Sequence, residues 1–201
     1  MQIENTYIGD DKFKRFLEHY KCPSDIETVK LKFAGAICSP NNDLRPTDVI
    51  SSFFRDNQQP RLETKSEAEL FFKFFMGLWD EMFFVVKANK LKLPKVKKAS
   101  KEDLITLCEE RSRQIEFGFV EGFWGGLQTL NIPNFTAELI NSLSDMADAY
   151  YLLAQKLTKS NDNDDIYSII VNMDEKVEET ISFLINYFVL PRIDNIQRTV
   201  N

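Results

Sequence analysis

Histidine is nearly absent from this chain, which has one, His19, among its 201 residues. A Ser-His-Asp or Cys-His catalytic site could therefore use only that side chain. It lies beside Glu18 on a predicted amphipathic helix, where a surface position is the simplest interpretation. No GxSxG nucleophile elbow accompanies it. The sequence therefore favours a protein that is not an enzyme.

Cysteine is also scarce. Cys22, Cys38 and Cys108 form an odd set without CxxC spacing, so a disulfide framework and a zinc site are not indicated. Residues 1–7 have no charged stretch followed by an apolar run, and the last residues carry no lipidation signal. We therefore expect free thiols in a reducing, cytoplasmic environment.

Long uncharged apolar runs are missing. The most apolar stretch, residues 70–86, is 17 residues long and contains Lys73, Asp80 and Glu81. It is too short and too charged for a membrane helix, so we expect a buried helix and no membrane association.

Motifs for phosphate, dinucleotide and metal binding are absent as well. Neither GxxxxGK[ST] nor GxGxxG occurs, and the acidic run 162–165 lacks the glycine and glutamate of a calcium loop. Acidic helix faces at Asp145/Asp148 and at residues 175–179 leave a metal-dependent hydrolase as a possible function, ranked third after protein–protein contact and polyanion contact. The sequence predicts no cofactor and no metal site.

What the chain does contain is helix signals. We predict a compact all-α bundle of about seven helices, with capping boxes at Ser24/Glu27 and Ser66/Glu69 and a helix cap at Ser100, with Asp103 in the first turn. Pro46 is suited to begin a short helix, and the last helical region has a candidate break near residues 172–174. A single domain over 1–201 is favoured, with 88–100 as the alternative boundary between two subdomains.

Glycines are concentrated in one place, the segment 118–126. Gly118, Gly122 and Gly126 are spaced by four, so they are predicted to form one stripe along a helix. Each interior glycine costs about 1 kcal/mol relative to alanine, which close approach of another helix would offset. With Phe119, Phe123 and Trp124 beside them, the stripe predicts either a tight helix crossing or a groove for a partner.

Lysines are concentrated in the connection 87–101, with seven in fifteen residues. A solvated linker is the simplest interpretation; the alternative is contact with phosphate or another polyanion. The residues proposed for that contact are Lys92, Lys95, Lys97 and Lys98. The net charge of −6 argues against general nucleic-acid binding.

Three segments of the chain resemble the YecA/YgfB-like family of uncharacterised bacterial proteins. Residues 33–40 and 45–50 are similar to its small-residue helix, its turn and its "P-S-E-W-L" helix start. Residues 66–82 and the stretch Gly118–Gly122, similar to "W-x-x-G-F-x-x-G", extend the resemblance over about 28–153. Ile115 and Val49 replace the family's tryptophans.

This resemblance implies an all-helical fold and no established reaction. Some relatives end in a zinc motif, which residues 197–201 lack. The metal-binding function of those relatives is therefore not expected here.

Phenylalanine, finally, is abundant, with 17 residues. This is more aromatic surface than a small bundle needs, and exposed apolar patches mark partner sites. We therefore expect a non-enzymatic protein that acts by protein–protein contact, with an unknown partner or with itself, and that presents an exposed aromatic patch.

Overall fold

The computed structural model describes residues 7–54, 60–97, 99–159 and 166–193. Within these ranges all regular structure is helical and there is no strand, which confirms the predicted compact all-α bundle. The described helices form about seven rods, as predicted, because one rod consists of two α-helices joined by a π-helical segment. The elements are α1 Asp10–His19, α2 Ile26–Cys38, α3 Pro46–Ser52, α4 Lys65–Lys87, α5 Lys101–Arg113, the π-segment Gln114–Val120, α6 Glu121–Trp124, α7 Asn134–Lys159 and α8 Ile166–Phe188.

Local capping signals set the helix starts. The predicted cap at Ser100, with Asp103 in the first turn of α5, is confirmed, and the structure shows that the two residues form a reciprocal capping box. The cap predicted at Ser24 is wrong, because the carboxylate of Asp25 accepts hydrogen bonds from both the amide and the hydroxyl of Thr28, at 2.9 Å each. A carboxylate at a helix N-terminus also interacts favourably with the helix dipole.

The capping box predicted at Ser66/Glu69 is likewise wrong. Helix α4 begins two residues earlier, where Thr64 Oγ1 accepts the amide of Glu67 at 3.1 Å. Glu67 in turn accepts the amide of Glu63 at 2.7 Å. The sequence therefore held two overlapping cap signals, and the more N-terminal one is used.

Helix α8 runs without the break considered near residues 172–174. Asp174, the last residue of that range, is buried on the core side of the helix and is hydrogen-bonded there by Arg111 and Tyr150. Its polarity is satisfied by tertiary contacts, so the helix continues through it.

Most of the phenylalanine surplus forms the core. Nine of the 17 are buried, and six are exposed. Phe75, on the inner face of α4, is the centre of an aromatic cluster to which α1, α2 and α3 contribute. Its ring neighbours are Phe13, Phe16, Phe33, Phe53, Phe54 and Phe71.

Helix α2 lies at the centre and packs against helices from both sides of the 88–100 connection, including α4, α6 and α8. Its C-terminal carbonyls are bound by Arg192, from beyond α8. The guanidinium donates to the carbonyls of Ser39, Cys38 and Ile37 at 2.9, 3.0 and 3.2 Å. A cation at a helix C-terminus satisfies carbonyls that have no partner in the helix.

None of the described helices has both the length and the apolar character that are needed to cross a bilayer.

The three cysteines are free, and their environments predict low thiol reactivity. Burial raises the pKa of Cys38 to about 12 and that of Cys108 to about 11. Because a raised pKa disfavours the reactive thiolate, neither should react with Ellman's reagent in the folded protein at pH 8. Half-buried Cys22 should react slowly, and all three should react in denaturant. Rapid reaction of more than one thiol in the native protein would contradict this packing.

Candidate functional site

The glycine-rich segment lies at a close crossing with α2. A Cβ atom built on Gly122 would be 2.2 Å from the carbonyl oxygen of Lys32, and one built on Gly35 would be 2.1 Å from that of Phe119. Both distances are far below van der Waals contact, so the two backbones meet directly. Gly118 is less constrained, with 3.0 Å to Leu31 Cβ.

The predicted stripe of three glycines is wrong at its third member. Helix α6 ends at Trp124, and the next two residues take left-handed backbone conformations, with φ of 57° at Gly125 and 81° at Gly126. Gly125 therefore ends the rod, and Gly126 lies beyond its end and does not line it. The third close contact comes from Gly35 on α2, which sequence reasoning missed although the run Ala34-Gly35-Ala36 was a signal for it.

The aromatic residues beside the glycines are enclosed by the chain itself. Phe119 and Phe123 are fully buried and Trp124 is half-buried. Since α2 fills the space along Gly118 and Gly122, a partner helix would have to displace α2 to enter there.

A buried ion pair adjoins this crossing. Lys32 of α2 lies 2.7 Å from Glu121 of α6 and 5.3 Å from the ring centroid of Phe53. The positive charge is thus matched by a carboxylate and an aromatic face. The sequence analysis did not single out Lys32, although its position between the apolar residues Leu31 and Phe33 indicated that it could be buried.

The lysine-rich connection forms a strap, residues 91–97, across α8. One carboxylate, that of Glu178, accepts the Lys92 ammonium at 2.6 Å and the amide of Leu93 at 2.9 Å. Leu93 is buried, so this part differs from the solvated linker expected. Lys95 and Lys97 are exposed, and Lys98 lies outside the described residues.

Beneath the strap is a buried polar network. Arg111 donates to Asp174 at 3.0 and 3.3 Å and to Gln114 at 2.8 Å, and it also donates to the carbonyl of Pro94 in the strap. The Tyr150 hydroxyl donates to Asp174 at 2.6 Å. Burial and the Asp174 charge raise the pKa of Tyr150 far above its usual range, so it stays protonated.

Two of the three carboxylates around the strap are already engaged. A groove of about 430 Å³ between the strap and α8 is lined by Asp174, Glu175 and Glu178. Arg111 binds Asp174, and Lys92 binds Glu178. Among the described residues no group of three or more His, Cys, Asp or Glu side chains is placed to hold a metal ion. This network joins α5, α7, α8 and the strap.

Besides Phe117 and Tyr151, the exposed aromatic side chains of the described residues fall into two groups. One belongs to α4, whose outer face is defined here by Leu70, Phe72, Lys73, Met76, Asp80, Phe83 and Phe84. The other is a cluster of Phe135, Phe183 and Tyr187, in which the Phe135 ring lies 5.1 Å from Tyr187 and 6.3 Å from Phe183.

The outer face of α4 combines its three exposed aromatic side chains with an exposed leucine. The exposed fractions are 48% for Leu70, 39% for Phe72, 39% for Phe83 and 65% for Phe84. They lie along about four turns of one helix, opposite the face that packs on α1, α2 and α3.

No protein-family profile, curated protein or solved structure shows significant similarity to this chain. The resemblance to the YecA/YgfB-like family therefore stays a prediction.

Proposed function

We propose that this protein acts by contact with protein surfaces, as a non-enzymatic adaptor or regulatory module, and that the outer face of α4 makes the contact. The observation that carries the proposal is the exposure of Leu70, Phe72, Phe83 and Phe84 on one helix. Removing such side chains from water is favourable by about 25 cal/mol per Å² of apolar surface, and this gain must exceed the entropy lost on association. Grouped exposed apolar residues are typical of partner sites.

Two other candidate surfaces are less suited to this role. Along Gly118 and Gly122 the space is occupied by α2. In the strap, Lys92 is paired with Glu178, which reduces its availability to a polyanion.

The three free cysteines support a reducing, cytoplasmic location for the contact.

Site-specific photo-crosslinking in cells tests the proposal. Benzoylphenylalanine would replace Phe84 in one variant and Leu152 of α7 in another; both native side chains are 65% exposed. We expect protein adducts from position 84, because a docked partner lies within reach of the probe, and background from position 152.

The masses of the adducts separate a partner of a different sequence from a second copy of the 23.4 kDa chain. Equal adduct yields from both positions, or none from position 84, would rule out α4 as the contact surface.

A further inference from the structure

We propose that the outer face of α4 binds the same face of a second copy, with the two helices antiparallel about a two-fold axis close to Met76. This inference rests on the proposed function and names its partner. Isologous contacts of this kind are the commonest in soluble oligomers, and they require a surface that is complementary to itself.

Helical geometry divides the outer face into three rows. At 100° per residue, Lys73 and Asp80 lie one above the other along the middle of the face, two turns apart. Phe72, Met76 and Phe83 form the row on one side. Leu70 and Phe84 form the row on the other side.

The antiparallel arrangement matches every member of these rows. About a two-fold axis, a residue meets the one equally far from the axis in the opposite direction and on the same side. Phe72 then meets Phe83 of the second copy, and Leu70 meets its Phe84. Met76, nearest the axis, meets its own counterpart. All four exposed apolar side chains of α4 are covered.

Charge complementarity selects the antiparallel direction. Lys73 precedes the axis by about as many residues as Asp80 follows it, so each lysine meets the aspartate of the other copy, twice per dimer. Neither side chain has an ion pair with any residue that the structure describes. A parallel pair would place Lys73 against Lys73, and like charges across an interface are repulsive.

The size of the contact predicts a reversible dimer. Helix α4 has 23 residues and is about 35 Å long, so one helix per subunit forms an interface at the small end of specific complexes. Dissociation should therefore be visible on dilution.

Analytical ultracentrifugation of the full chain over a range of concentrations tests this arrangement. The wild type should show a monomer–dimer equilibrium. Lys73→Asp and Asp80→Lys should each weaken it at least about tenfold, because each creates two like-charge contacts. The double variant K73D/D80K should dimerise again. An equimolar mixture of the two single variants should also form dimers, because each chain supplies the charge that the other requires.

Matched controls separate this effect from misfolding. Lys12→Asp changes an exposed lysine of α1 and should leave the equilibrium unchanged. Phe84→Ser should weaken it, whereas Leu152→Ser, at an equally exposed position, should not. Circular dichroism melts should be alike for all of them.

A monomeric wild type at every concentration would overturn the dimer, and so would mixed single variants that stay monomeric. If position 84 then crosslinked a protein of another sequence, the proposed function would stand while this inference failed. If it crosslinked nothing, both would fail.

Discussion

Alanine in place of Gly122 is expected to lower the free energy of unfolding by about 3 kcal/mol, near the upper end of overpacking effects. The added Cβ would lie 2.2 Å from the carbonyl oxygen of Lys32, which belongs to the backbone of α2 and cannot rotate away. Intrinsic helix propensity acts in the opposite direction, since alanine favours a helix by about 1 kcal/mol over glycine. The sign of the change therefore distinguishes a close crossing from an ordinary helix position.

Urea denaturation followed by circular dichroism measures this effect, and two further variants calibrate it. Gly35→Ala should be comparably destabilising, because its Cβ would lie 2.1 Å from the carbonyl oxygen of Phe119. Gly118→Ala should be milder, since its nearest neighbour is Leu31 Cβ at 3.0 Å. A Gly122→Ala protein at least as stable as the wild type would show that α2 does not approach this closely.

Alanine in place of Asp174 is expected to cost about 3–5 kcal/mol, the range measured when one partner of a buried ion pair is removed. Arg111 is 1% exposed and would keep its charge in the core without the carboxylate that accepts two of its hydrogen bonds. The Tyr150 hydroxyl would lose its acceptor as well. Because Arg111 also holds the carbonyl of Pro94, we expect faster proteolysis within the strap.

Two variants test the cause of this loss. Tyr150→Phe removes one hydrogen bond and should cost only about 1 kcal/mol. The double variant R111M/D174A should recover part of the stability, because no uncompensated charge stays buried. If Asp174→Ala unfolds at the urea midpoint of the wild type, the buried network does not contribute as inferred.

The helices themselves could be predicted from local signals. Three kinds of signal each involve only a few neighbouring residues, so they can be recognised without any knowledge of the fold. They are apolar residues at helical spacing, Pro46 at a helix start, and the cap at Ser100 with Asp103 in the first turn. The errors in the positions of helix starts arose where two local signals competed, as at Thr64 and Ser66. There the sequence offers both caps, and the chain uses one.

The candidate surfaces depended on contacts between distant parts of the chain. The exposed aromatic patch was predicted from the number of phenylalanines, but the sequence did not distinguish Phe75, at the centre of the core, from Phe84 on the outer face of α4. Both lie on one helix that is apolar nearly all round. Which side is covered depends on where α1, α2 and α3 pack.

By itself, the sequence determined an all-α protein with its helices in these places, because periodicity and capping are properties of neighbouring residues. Only the tertiary structure decided that α2 fills the glycine stripe, that Glu178 engages Lys92, and that one apolar face of α4 is left exposed by the residues that the structure describes. The physical reason is that burial and ion pairing depend on contacts between segments that are far apart in the sequence, from 22 residues for Phe53 and Phe75 to 86 for Lys92 and Glu178, and no local pattern encodes those contacts.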